Sequence, residues 1–184
     1  YLRGDNTLDQ YLQEVMKQEA MYPNNYIKLR AYENHDKSRL RAKTKSELQF
    51  KNLLALSFFL KGTTMLYNGV EVMSTKTLTL FDKDPIDWQE NNDITPFLKR
   101  LIALKKHPLL RDGYIQLHHS DGGAVLSYQK DDMKMVGMFN VEASTLTNIP
   151  LEDGTYVNEI DHEKVSIKNQ TYDGTAPVWI KIAC

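Results

Sequence analysis

The chain has 184 residues, 41% hydrophobic and 26% charged, with a net charge of −1, which suits one large globular domain or two small ones. No dense Lys/Arg stripe argues for nucleic acid, and no apolar run approaches the ~20 residues of a membrane-spanning helix, since the longest, Leu53 to Leu60, is short and broken by Ser57. The lone cysteine, Cys184, can form no internal disulfide, and no Cys/His set has zinc spacing. The first residue is Tyr and no signal-like segment follows, so the chain reads as a piece of a longer protein, with no compartment assigned, soluble in the cytoplasm or secreted.

Asn6-Thr7 can cap a helix in which Leu8, Tyr11, Leu12, Val15 and Met16 form one apolar face, with Pro23 as its stop. Ile27, Leu29 and Ala31 alternate with Lys28 and Arg30, which predicts a strand from Tyr26 to Tyr32. Thr44 and Glu47 have capping-box spacing and open a helix rich in Leu and Phe, with Gly62 as its left-handed terminator. Thr63 to Tyr67 follows as a short buried strand ended by Asn68-Gly69. Strand, helix, strand with short connections is a βαβ unit, hence a parallel pair. Met73 to Asn92 reads as a loop, and Asp93 or Thr95 caps the next helix. That helix has Pro96 in its first turn, Phe97, Leu98, Leu101, Ile102 and Leu104 inside, and Pro108 at its close.

After Gly113 the texture becomes β-rich. Strands are expected at Tyr114–His118, Ala124–Gln129, Met133–Phe139, Thr145–Ile149, Thr155–Asn158, Lys164–Ile167 and Val178–Ile182, separated by Asp/Gly turns. Even spacing of this kind predicts a small antiparallel β-sandwich. The predicted boundary lies near Asp112, between an α/β part (1–112) and an all-β part (113–184).

One stretch resists a bland reading. In LRAYENHDKSRLRA the alternation ends on Asn34-His35-Asp36, with Arg39 three positions later. In parallel α/β folds ligands gather at the C-terminal ends of strands. The triplet and the segment Tyr67 to Glu71 are both at such ends, so they should be neighbours. By residue type alone, a strand-end Asp is more often a turn or a cap than a ligand contact.

The run YENHDKSR, then GTTMLYNGVEV, then FLKRLIALKKHPLLRDG, then the β-rich tail, resembles the C-terminal part of the α-amylase superfamily of glycoside hydrolases. Four features in order carry the resemblance over nearly the whole chain. It implies the last strands and helices of a (β/α)8 barrel, with the triplet ending the seventh strand and Tyr67 to Glu71 following the eighth, then a small antiparallel domain. It also implies retaining chemistry on α-linked glucans, which uses a carboxylate nucleophile and a carboxylic acid about 5 Å apart. In the family those two groups stand on earlier strands, which would lie upstream of Tyr1. Asp36 then matches the third catalytic carboxylate, which binds and distorts the reacting sugar. His35 matches a sugar-binding histidine that supports the transition state, and Asn34 matches the turn residue. Arg39 resembles an arginine of exo-acting members, although a solvated cation is as good a reading of it. Glu71 takes a structural position. The parent would be a glycosidase or glucosyltransferase and this chain alone inactive. No cofactor is expected in this chain, because the family's calcium site is built largely upstream. The expected partner is an α-glucan or maltooligosaccharide, and exposed barrel edges would favour self-association.

A rival reading is a non-catalytic carbohydrate-binding or scaffold module. It needs grouped aromatics, whereas Tyr114, Tyr128, Tyr156, Tyr172 and Trp179 are scattered. Trp88 and Trp179 read as packing residues, His118-His119 as one on each face of a strand, and Asp82 to Asp87 as a solvated turn, while Asn169-Gln170-Thr171 fits a glycosylation sequon that chance explains equally well.

Overall fold

The computed structural model describes residues 1, 4–23, 25–89 and 93–183. The readings of Cys184 and of Asn92 as a loop end fall outside them. Helix α1 (Leu8–Met21) starts on a reciprocal box in which Thr7 Oγ1 accepts from the Gln10 amide and Gln10 Oε1 accepts from the Thr7 amide. It buries Leu8, Leu12 and Val15. Strand β1 is only Leu29–Arg30, and it pairs in parallel with β2, Thr63–Thr64. The long strand expected from Tyr26 is cut to two residues because β2 offers only two to pair with. Ile27 and Leu29 stay 80% and 62% exposed.

Between the strands lie a one-turn helix α2 (Leu40–Lys43) and helix α3 (Glu47–Phe59). The cap of α3 is Ser46, whose Oγ accepts from the Gln49 amide at 3.1 Å. Thr44, the expected cap, instead closes α2, its hydroxyl donating to the Arg41 carbonyl. The shift arises because α2 occupies the residues just before Thr44. From Gln49 to Phe59 every residue of α3 except Lys51 is buried, so α3 is covered on all sides. A 3-10 turn (Val70–Val72), helix α4 (Thr95–Lys105) and short α5 (Leu109–Asp112) follow. In α4 Leu98 and Leu101 are buried, but Ile102 is 40% exposed, against expectation. Asp93 Oδ1 accepts from the Thr95 amide.

The rest is mainly antiparallel sheet. Strands β3 (Tyr114–His119), β4 (Ala124–Lys130), β5 (Met133–Phe139) and β8 (Val178–Ala183) form one sheet in the order β3-β4-β5-β8, and β6 (Gly154–Val157) pairs with β7 (Lys164–Ile167). Alternation along β4 sends Leu126 and Tyr128 to one face and Val125 to the other. The first face packs on α3. Phe59 meets Tyr128, Phe139 and Trp179 edge-on with ring centroids 5.3, 5.4 and 5.1 Å away. The second face packs Val125, Val136, Met138 and Ile180 against Leu146, Ile149, Val165 and Ile167. The strand expected at Thr145–Ile149 reduces to one bridge, Leu146 to Tyr172, because the chain turns through positive φ at Ala143 and Asn148. One apolar cluster runs from α1 and α3 into the sheet, across the expected boundary at Asp112.

Candidate functional site

The parallel register of β1 and β2 brings the segments after them to the same end of the pair. After β1 the chain buries Glu33 at 5% exposure and then turns. Asn34 Oδ1 accepts from the Asp36 amide at 3.0 Å, and the Lys37 amide donates to the Asn34 carbonyl at 3.2 Å. This side-chain-closed turn is a habit of Asn. It lifts His35 and Asp36 into solvent, with side chains 60% and 65% exposed and His35 Nε2 3.1 Å from Asp36 Oδ2.

Arg39 lies beneath, at 1% exposure. Its Nη1 donates to Glu33 Oε1 (2.9 Å) and to the Asn68 carbonyl (2.8 Å), its Nε donates to the Lys76 carbonyl (2.8 Å), and its guanidinium lies 4.6 Å from the Tyr67 ring centroid. Glu33 Oε2 accepts from the Leu40 amide. Burial pushes the Glu33 carboxyl above its ordinary range, against the opposing pull of the Leu40 amide and Arg39. Arg39 therefore ties the segment after β1 to the segment after β2 and to the loop at Lys76. Gly69 takes φ +93° against it, and a Cβ there would stand 3.2 Å from Arg39 Nη2. The Gly69 amide donates to Glu71 Oε2, and the Ile94 amide donates to the Glu71 carbonyl, which fixes the second segment.

The arrangement presents one exposed carboxylate beside one imidazole on a rigid, ion-paired base. Such a pair can accept and donate hydrogen bonds to neighbouring hydroxyls. Among the described residues no group of three or more His, Cys, Asp or Glu side chains is placed to hold a metal ion, and no helix is long and apolar enough to cross a membrane. His118 bonds Ser127 Oγ, while His119 bonds Thr147 Oγ1 and the Asp121 carbonyl. Trp179 is buried, but Trp88 is 54% exposed and is not the packing residue expected. The residue that sequence reasoning undervalued is Glu33. Its charge fits a solvent-facing strand position, and only its tertiary partner shows its role.

Residues 115–176 match the model of the bacterial alpha amylase C-terminal domain. An alpha-amylase of Lactobacillus plantarum superposes with a TM-score of 0.88 at 28% identity, over 100% of this chain and 44% of its own. A maltogenic alpha-amylase of Thermotoga neapolitana gives 0.82 at 20% identity, over 100% and 47%. An alpha-amylase of Geobacillus thermoleovorans, solved with acarbose, gives 0.73 at 21% identity, over 92% and 42%. No curated protein matches the chain. The fold is thus one found in glycoside hydrolases of the amylase type. More particularly, the chain resembles the C-terminal portion of the α-amylase superfamily and spans less than half the length of these three structures.

Proposed function

We propose that this chain is the C-terminal part of a retaining enzyme acting on α-linked glucans, with Asp36 and His35 contacting the reacting sugar. One observation carries the reading. The segments holding Asn34 to Asp36 and Tyr67 to Glu71 meet at one end of a parallel pair, clamped by Arg39. In this reading β1, α3 and β2 are the last part of a (β/α)8 barrel, residues 1–112 belong to it, and 113–184 form a C-terminal β-sandwich domain. Asp36 accepts from sugar hydroxyls and helps distort the ring, while His35 stabilises charge at the oxocarbenium-like transition state. Asn34 closes the turn that presents both. Arg39 acts on the substrate from behind, by holding that turn against the second segment. Nucleophile and acid stand on earlier strands, so the chain alone does not hydrolyse glucan. The parallel pair also has open edges, which favour self-association.

The test is made in the full-length parent. Asp36→Asn should lower kcat on maltooligosaccharide by about 10²–10³-fold, the usual loss for one transition-state contact. Its thermal melt should not change, because the side chain is exposed. Undiminished turnover would overturn the reading. In that case retention of the chain on insoluble starch would favour the rival, a binding module.

A further inference from the structure

A cleft of about 830 Å³ opens at the other end of the parallel pair, away from Asn34 to Asp36. It lies between the approaches to β1 and β2, the last turn of α4, and α5. Its volume is that of a small-molecule site, about 300–1,000 Å³. Phe58 and Leu110, both nearly inaccessible, form its floor, and Ile27 and Ile102 form apolar walls, 80% and 40% exposed. The charge around it is one-sided. Among the described residues lining it, the basic side chains Lys61, Lys105, Lys106 and Arg111 face the one carboxylate of Asp112, with His107 as a neutral imidazole. That carboxylate is already held by Arg111 in a two-point contact of 2.7 and 2.8 Å.

Lys105 distinguishes this cleft from an ordinary basic surface. It is half-buried and donates to the Leu60 carbonyl, and among the described residues it has no ion pair with a carboxylate. Burial first, and the Arg30 guanidinium second, hold its ammonium down to about 8. Glu19 opposes this weakly, being itself engaged by Arg30 and Tyr26. A desolvated cation with a neutral partner, beside an open apolar cleft, is complemented by a negative headgroup on an apolar body.

We propose that this cleft binds a small amphipathic anion of the alkyl carboxylate class, its headgroup on the Lys105 ammonium and its chain along Phe58, Ile27 and Leu110. A neutral sugar would offer the Lys105 ammonium no charge and leave the apolar floor wet. The site is separate from the strand-end turn, and the proposal does not rest on the glucan reading.

The charge on Lys105 sets the pH dependence. The ammonium is the binding form, so affinity holds near neutral pH and falls as pH rises through about 8. The other groups around Lys105 do not mask this change. Arg30, Glu19, Lys61 and Lys106 stand around it, the Arg111–Asp112 contact holds the Asp112 carboxyl low and the Arg111 guanidinium high, and His107, pushed below its usual value by burial and then by Lys181, stays neutral.

Octanoate is the probe, titrated calorimetrically into the chain at pH 7 and pH 9.5, with octanol as its uncharged counterpart. The expected result is one octanoate per chain at pH 7, at least fivefold weaker binding at pH 9.5, and about tenfold weaker binding of octanol. Lys105→Met should weaken octanoate about tenfold, and Lys106→Met, the same charge change at an exposed position, less than twofold. Absence of saturable binding, equal binding of octanoate and octanol, or undiminished binding by Lys105→Met would each overturn the proposal. The octanoate–octanol comparison uses the unaltered chain and decides the matter even if Lys105→Met does not fold.

Discussion

Arg39 and Glu33 are six residues apart and both out of reach of water. A buried ion pair contributes little against an apolar substitute, but removing one partner strands the other, at about 3–5 kcal/mol. Arg39→Met should therefore destabilise the chain by about that much in urea titrations. An exposed change such as Asp36→Asn should stay within about 0.5 kcal/mol. The pH dependence of the Arg39→Met loss has a definite sign. Because burial raises Glu33, its charged form is disfavoured in the fold, so that contribution is best in acid and declines as pH rises through the raised value. Without Arg39 the decline should continue to a higher pH, and the loss should be larger at neutral pH than in acid. Equal losses at both would mean that Glu33 does not feel Arg39. The exposed triplet is legible in the sequence because three polar residues end an apolar alternation. The pair beneath it is not, since a charged residue on a half-exposed strand and one in a basic run both look solvated.

Helix α3 is legible as a buried helix because its apolar residues leave no polar stripe. Its start is not, because Thr44/Glu47 and Ser46/Gln49 share the same three-residue spacing, and the choice depends on α2, a single turn too short to show periodicity. Ser46→Ala should cost about 1 kcal/mol, as for other lost caps. The contact of α3 with the sheet should weigh more. Phe59→Ala should cost about 3–5 kcal/mol, because three rings lose their common neighbour. Gly137→Ala puts a methyl group 2.8 Å from the rings of both Phe59 and Phe139, which should cost about 1–3 kcal/mol. The two substitutions touch the same space, so the double variant should lose less than the sum of the singles. Strict additivity in chemical denaturation would show that the sheet and α3 do not share this contact.

For the molecule as a whole, the change of composition near Asp112 is easy to read, whereas the packing across it is not, because nothing local announces that Phe59 will meet Trp179. The proposed self-association belongs at this scale. Ile27 and Leu29 leave apolar side chains beside an open strand edge. The mass measured by light scattering should rise across a tenfold range of concentration, and Leu29→Lys should suppress the rise. A constant monomer mass would refute it.

The largely exposed stretch from Thr77 to Trp88, with Phe81 93% accessible, separates two sets of residues that build one core. Before it come α1 and α3, and after it come α4 and the sheet. A cut there would break the chain while leaving Phe59 seated among Tyr128, Phe139 and Trp179. The molecule is in this sense a split protein joined by a tether. The tether's contribution is effective concentration: it turns the meeting of two complementary pieces into an intramolecular event.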